Sequence, residues 1–265
     1  EFPFPKLFGR LGDEYDRRYG LKDEHLGHIS AINYENARKN PKAQTRTWYM
    51  SEDHACKAGQ YNTLIGGRII PSFTRNWLAR ENPGRLPAPF GRFDTIAIMV
   101  SAAALLVWVC IPATRITGAA LAVGGALQAA RLLRWAGDRT GREPLLLVLH
   151  IGYAFVPVGF LLLAAASFDL APASAGIHAW MVGGVGTMTL AVMTRTSLGH
   201  TGRELTASLA TQLIYAAVLL AAVARIGAAL EPRWNEPLLQ AAAFAWAAAF
   251  LGFAVVYAPI LCQPR

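Results

Sequence analysis

HAWMVGGVGTMTLAVMTRTSLGHTGR, residues 178–203, is a membrane-length apolar run with an ionisable group at each end. His178 opens it, Arg195 closes it, and His200 follows in a predicted tight polar loop, Leu198–Arg203. Ionisable groups at the ends of a bilayer span are costly to keep and usually mark a site. Neutral imidazole is also the commonest protein ligand of haem iron and copper. The stretch therefore predicts a membrane-embedded redox or gas-handling centre.

The rest of the chain carries the same hydropathy. Of 265 residues, 54% are hydrophobic and only 16% charged, against about a quarter charged in an average soluble domain. Working outward from residues 174–194, further apolar runs occupy 94–113, 117–134, 145–168, 205–229 and 236–260. About 20 apolar residues span a bilayer, and an open sheet edge does not survive in lipid. The prediction is an all-α, polytopic transmembrane helix bundle with six spans. The run at 117–134 is the weakest, being short and holding Gln128.

Arginine placement sets a topology. With the Arg75–Phe93 segment in the cytoplasm and sides alternating, twelve of the fifteen arginines after residue 60 fall inside and only Arg115, Arg225 and Arg233 outside. That is the positive-inside pattern of an inner membrane. Trp180 and Trp234 are predicted outer-interface anchors and Trp135 an inner one. The N-terminal EFPFPKLFG lacks the basic region and apolar core of a cleavable signal peptide. Cys56, Cys110 and Cys262 make no disulfide framework, and Cys110 and Cys262 are read as small buried hydrophobes. The basic pI of 9.7 reflects arginines facing anionic lipid, so the expected partner is the bilayer and not nucleic acid.

Residues 1–60 differ in kind. All five lysines lie at or before Lys57. The segment predicts a soluble, highly charged helical piece: Leu11, Tyr15 and Tyr19 repeat at helical spacing before Gly20, and Leu26, Ile29 and Ile32 give a second face ending near Asn40-Pro41. Thr63–Ile70 reads as the last two turns of an apolar helix stopping before Pro71, with its front end missing. A join is therefore expected near residues 56–63, dividing the chain into a 1–60 fragment and a 61–265 membrane domain.

Among the histidines, His25, His28 and His54 read as solvated. His150, about six residues into the third span, His178 and His200 are the candidate metal ligands. His178 and His200 lie about 30 Å apart along one helix and do not share a metal, whereas His150 and His200 belong to the same side. The alternatives are a histidine bonded to a neighbouring backbone, or a turn at Gly199–Gly202 with Thr201 capping the next helix. Gly183, Gly184 and Gly186 allow close helix approach. Met181, Met188 and Met193 read as a core stripe rather than as thioether ligands.

Three strings, Ile65–Leu78 (IGGRIIPSFTRNWL), His150–Ala164 (HIGYAFVPVGFLLLA) and His178 with Gly186–Arg203 (GTMTLAVMTRTSLGHTGR), together resemble the NnrS family over about residues 63–265. The resemblance implies a polytopic inner-membrane protein similar to the haem- and copper-containing proteins of the nitric-oxide response, linked to denitrification and nitrosative stress. It implies His150, His178 and His200 as metal ligands, with Arg68, Arg75, Arg195 and Arg203 placed to pair with haem propionates. For those arginines the topology-setting role stands beside this one. RRYGLKDEHLGHISAINYENARKNPKAQTRTW, residues 17–48, resembles part of a thiolase of the acetyl-CoA acetyltransferase type. It carries neither catalytic motif of that family, so thiolase activity is expected to be absent. Two classes of function compete: a haem/copper membrane protein handling nitric oxide, and a cofactor-free transporter or scaffold whose histidines and arginines line a polar path. A soluble acyl-transfer enzyme is excluded by the missing motifs and the six spans.

Overall fold

The computed structural model describes residues 17, 18, 20, 23–40, 51 and 69–262, without the side chains of 23–27 and 69. Arg68, His54, Cys56, the Leu11–Tyr19 repeat, the join near 56–63 and most of Thr63–Ile70 lie outside the described residues. The chain divides into two units, Glu1–Gly66 and Gly67–Arg265. In the first, helix α1 (Asp23–Lys39) is a charged helix closed by basic residues in its last turn. Glu35 and Lys39 pair along it at 2.9 Å, and Ile29 and Ile32 of the predicted apolar face are exposed.

The second unit holds α2 (Ile69–Glu81), α3 (Arg92–Cys110), α4 (Arg115–Leu133), α5 (Pro144–Ala166), α6 (Ala173–His200), α7 (Leu209–Leu230) and α8 (Asn235–Cys262). Six of these, α3 to α8, are long and apolar enough to cross a membrane, and the described residues contain no strand. Burial orders them: half of the apolar stretch of α5 is enclosed by protein, against 22% in α3 and α8. Helix α5 is thus the central post, packed on α4, α6 and α2, while α3 and α8 stand at the periphery.

Local chemistry sets the helix ends. Thr114 and Ser208 cap α4 and α7 by accepting the Thr117 and Thr211 amides, the usual role of a hydroxyl before the first turn. Glu143 caps α5 ahead of Pro144, whose missing amide costs nothing in the first turn. The described part of α2 runs from Ile69 through Pro71 to Glu81, so the expectation that a helix stops before Pro71 is corrected.

Helix α6 is not uniform. It is an α-helix to His178, a π-helix over Ala179–Gly186, and an α-helix again from Thr187 to His200. Aromatic rings pack where its glycines leave no side chain. Phe155 of α5 lies against Gly183, and Trp246 of α8 against Gly186. In return Trp180 lies against Gly159 of α5 and donates its indole N–H to the Val156 carbonyl at 2.9 Å. That bond forms beside Pro157, which interrupts the hydrogen-bond ladder of α5.

The predicted polar loop after residue 198 is helix up to His200. The Gly202 amide bonds the Gly199 carbonyl, the Arg203 amide bonds the Leu198 carbonyl, and Gly202 takes φ +68°. This is a left-handed glycine closure of a helix C-terminus. Thr201 bonds back to Ser197 and caps nothing downstream, the cap of α7 being Ser208. Cys110 and Cys262 are exposed rather than buried. Met181 and Met193 are exposed as well, and only Met188 packs in the core. Trp135 is a buried core residue and so not an interface anchor, Trp180 is half-buried against Trp108 and Phe160, and Trp234 is exposed. Lipid-facing and protein-facing positions in a bundle are equally apolar, which is why hydropathy does not separate them.

Candidate functional site

His150 lies on α5 two turns from its start and is 5% exposed. Its Nδ1 faces the Leu146 carbonyl at 3.0 Å. The Trp135 backbone is a second hydrogen-bond partner of the ring. Nε2 faces Thr74 Oγ1 of α2 at 3.3 Å. Trp135 meets the ring edge-on at a centroid distance of 6.5 Å. Gly137 presses so close that any Cβ there overlaps the imidazole. A histidine whose second nitrogen donates to a backbone carbonyl is oriented as metal-binding imidazoles are.

A second buried polar cluster adjoins it through Trp135 and Tyr153. Arg131 of α4 pairs with Asp94 of α3 at 3.0 Å, each side chain 4% exposed. Asp94 also accepts from the Gly91 amide at 3.1 Å, which ties the start of α3 to the end of α4. Arg131 Nη1 donates to Tyr153 Oη of α5 at 2.9 Å, and its guanidinium lies 5.1 Å from the centre of the Trp135 ring. Tyr153 donates to Gln128 Oε1, and Gln128 Nε2 donates to Ser101 Oγ at 2.8 Å. Five side chains on three helices are thus joined at Arg131, which donates to Asp94 and also heads a directional chain through Tyr153 and Gln128 to Ser101.

The sequence signal for this cluster existed as spacing. Asp94 and Ser101 lie seven apart on α3, Gln128 and Arg131 three apart on α4, and His150 and Tyr153 three apart on α5, each pair on one helical face. Sequence reasoning missed it because Arg131 was counted only for topology and Gln128 only as a weakness of its span. Thr74 and Trp135 were missed as neighbours of His150 because Thr74 sits on another helix and Trp135 in the turn after α4.

The other predicted residues lie apart. His178 is partly exposed at the point where α6 becomes a π-helix, and the cation of Arg225 is its charged neighbour. An adjacent cation opposes a bound metal cation. His200 is exposed on the last turn of α6, whereas His150 is enclosed. Arg195 lies 4.3 Å above the Phe73 ring of α2, with the Glu143 carboxyl and Tyr215 as electrostatic neighbours. Burial raises the pKa of Glu143, offset in part by the Leu145 amide and by Arg195. Arg75 is partly exposed on α2, and Arg203 is exposed beyond the α6 closure. Among the described residues, no three His, Cys, Asp or Glu side chains converge on one metal position.

The six spans and the enclosed imidazole define a multi-pass membrane protein with a polar interior. The chain belongs to the NnrS family: the family model, described as NnrS protein, matches residues 61–265. No curated protein and no solved structure matches it. The likeness of the N-terminal residues to a thiolase finds no support in these comparisons.

Proposed function

We propose that this chain is a haem- and copper-associated protein of the nitric-oxide and nitrosative-stress response, sited in a bacterial inner membrane and linked to denitrification. Family membership supports the nitric-oxide role. The excess of arginine at the end that carries α2, the α4–α5 loop and the α6 closure supports placing that end in the cytoplasm. The observation that carries the cofactor reading is His150: buried, with Nδ1 on a backbone carbonyl.

The donor chemistry around His150 fits haem better than copper. A haem would need only one protein nitrogen, and His150 would be the residue to hold it. A copper ion needs further protein ligands, and no three-residue donor set forms among the described residues. Bound haem iron supplies a coordination position for nitric oxide. The protein's part is to hold the imidazole in one orientation, through Leu146, Trp135 and Gly137. Arg195 and Arg75 stand on the same side of the bundle as the His150–Thr74 contact and offer guanidinium donors to propionates. The cofactor-free transporter reading has less behind it, because its path of histidines and arginines is not assembled. His178 and His200 lie at opposite ends of α6.

A visible absorption spectrum of the detergent-purified protein, with and without reductant and nitric oxide, tests the proposal. A Soret band that shifts with nitric oxide and is lost in His150→Ala is expected. A band retained in His150→Ala and lost in His178→Ala moves the ligand to the other end of the bundle. A haem-supplemented preparation that stays colourless overturns the haem reading.

A further inference from the structure

We propose that the cleft between the end of α6, the start of α7 and the end of α8 holds the headgroup of a phosphoethanolamine lipid, Arg203 taking the phosphate and Glu204 the ammonium. The inference is independent of the haem reading and uses none of the residues around His150. The cleft has a volume of about 380 Å³, with an apolar wall of Leu198, Val256 and Ile260. Its floor is polar: Thr211 Oγ1 lies 3.1 Å from Ser208 Oγ and 2.9 Å from Tyr257 Oη. Each hydroxyl carries one proton, and two contacts among three hydroxyls use two of them. The third proton has no acceptor among the described residues and is left to donate into the cleft.

Arg203 and Glu204 line the same cleft and are both exposed. Adjacent and opposite in charge, they form no ion pair with each other or with any other described residue. Their backbone is held by hydrogen bonds, from the Arg203 amide to the Leu198 carbonyl at 3.0 Å and from the Thr206 amide to the Glu204 carbonyl at 2.9 Å. The turn thus presents one cation and one anion side by side without letting them neutralise each other. It joins two spans, which places it at the depth of lipid headgroups. Leu205, Leu209 and Leu261, next in sequence to Glu204, Ser208 and Ile260, are exposed apolar side chains suited to acyl chains. A guanidinium binds phosphate oxygens through paired N–H donors. A phosphoglycerol headgroup brings no cation to Glu204, and a choline headgroup brings a cation without an N–H. Phosphoethanolamine supplies both the phosphate and the N–H donors.

The test uses the full chain in detergent, with bound lipid counted by native mass spectrometry. Phosphatidylethanolamine, phosphatidylcholine and phosphatidylglycerol with the same acyl chains are the probes. One ethanolamine lipid per chain is expected to be held about fivefold more tightly than either of the others, the advantage of one partly exposed charge pair. Arg203→Gln is expected to weaken all three alike, because all three carry the phosphate. Glu204→Gln is expected to abolish the ethanolamine preference and leave phosphatidylcholine binding unchanged. Arg233→Gln, on the connection between α7 and α8 at the other end of the bundle, is expected to change nothing. Equal retention of the three lipids by the parent chain, or a preference for phosphatidylglycerol, overturns the proposal. An ethanolamine preference that survives Glu204→Gln places the lipid elsewhere and overturns it too. Excess soluble phosphoethanolamine is expected not to displace the lipid, since it makes no contact with the apolar wall. Displacement assigns the cleft to a water-soluble phosphate ester and refutes the lipid.

Discussion

Helices α3 to α5 and helices α6 to α8 solve the same problem in different ways. Each half joins apolar helices in surroundings that give no hydrophobic reward for association, so packing and polar contacts must do it. The first half uses charge and long side chains: Asp94, Arg131, Gln128 and Tyr153 link three helices in one chain. The second uses small residues and hydroxyl pairs, Thr194 with Tyr215 and Thr211 with Tyr257 at 2.9 Å, around glycines that receive aromatic rings. The difference is one of risk. A charged network is sensitive to the loss of any member, whereas paired hydroxyls fail singly and cheaply.

That contrast breaks first at Arg131. Replacing it by Ala leaves Asp94 charged and enclosed, and is expected to cost about 3–5 kcal/mol of stability, read as the unfolding midpoint in detergent. Exchanging both partners for apolar residues is expected to restore most of the loss. If the single and double variants melt alike, the pair is solvated and the contrast collapses. A smaller effect belongs to the second half. Gly183→Ala drives a methyl into the Phe155 ring and is expected to cost about 1–3 kcal/mol by overpacking. A neutral outcome would mean that α6 slides freely on α5. Smaller again, Tyr257→Phe removes one hydroxyl pair and is expected to cost about 0.6 kcal/mol, the mean for hydrogen bonds between membrane helices.

The smallest effect is expected at Glu143, which caps α5 in the first half and has Arg195 of the second as a charged neighbour. Its folded pKa lies above the unfolded one because burial penalises the carboxylate. The folded state therefore holds its proton longer, and stability declines as pH rises above the ordinary carboxylate value of about 4.3, levelling once the folded group ionises. Glu143→Gln is expected to flatten that decline in a pH series of melting curves. An unchanged slope assigns the decline to another group.

The six spans were legible in the sequence because length and hydropathy alone define them, and even the run weakened by Gln128 forms a full helix. The partners of the polar residues were not. Gln128 looked like a defect because its bonds go to Ser101 and Tyr153, on two other helices. His150 was picked out by its place in an apolar run, but Thr74, which faces its Nε2, lies 76 residues away in sequence. The Gly-His-Thr-Gly string misled for a different reason. A glycine that ends a helix and a glycine that opens a loop look the same until the φ of Gly202 is known.

The π-helix in α6 has a consequence for the second half of that helix. On a regular helix Met181 and Met188 lie within about 20° of each other and form a stripe. Here Met181 faces outward and Met188 inward. Residues before and after Ala179–Gly186 obey two angular phases, and the offset is written into no hydropathy profile. Each residue inserted into an α-helix turns the downstream segment by about 100°. Deleting a single residue between 182 and 186 would leave the composition of α6 almost unchanged. It would also swing Arg195 off Phe73 and point the arginine at a different neighbour.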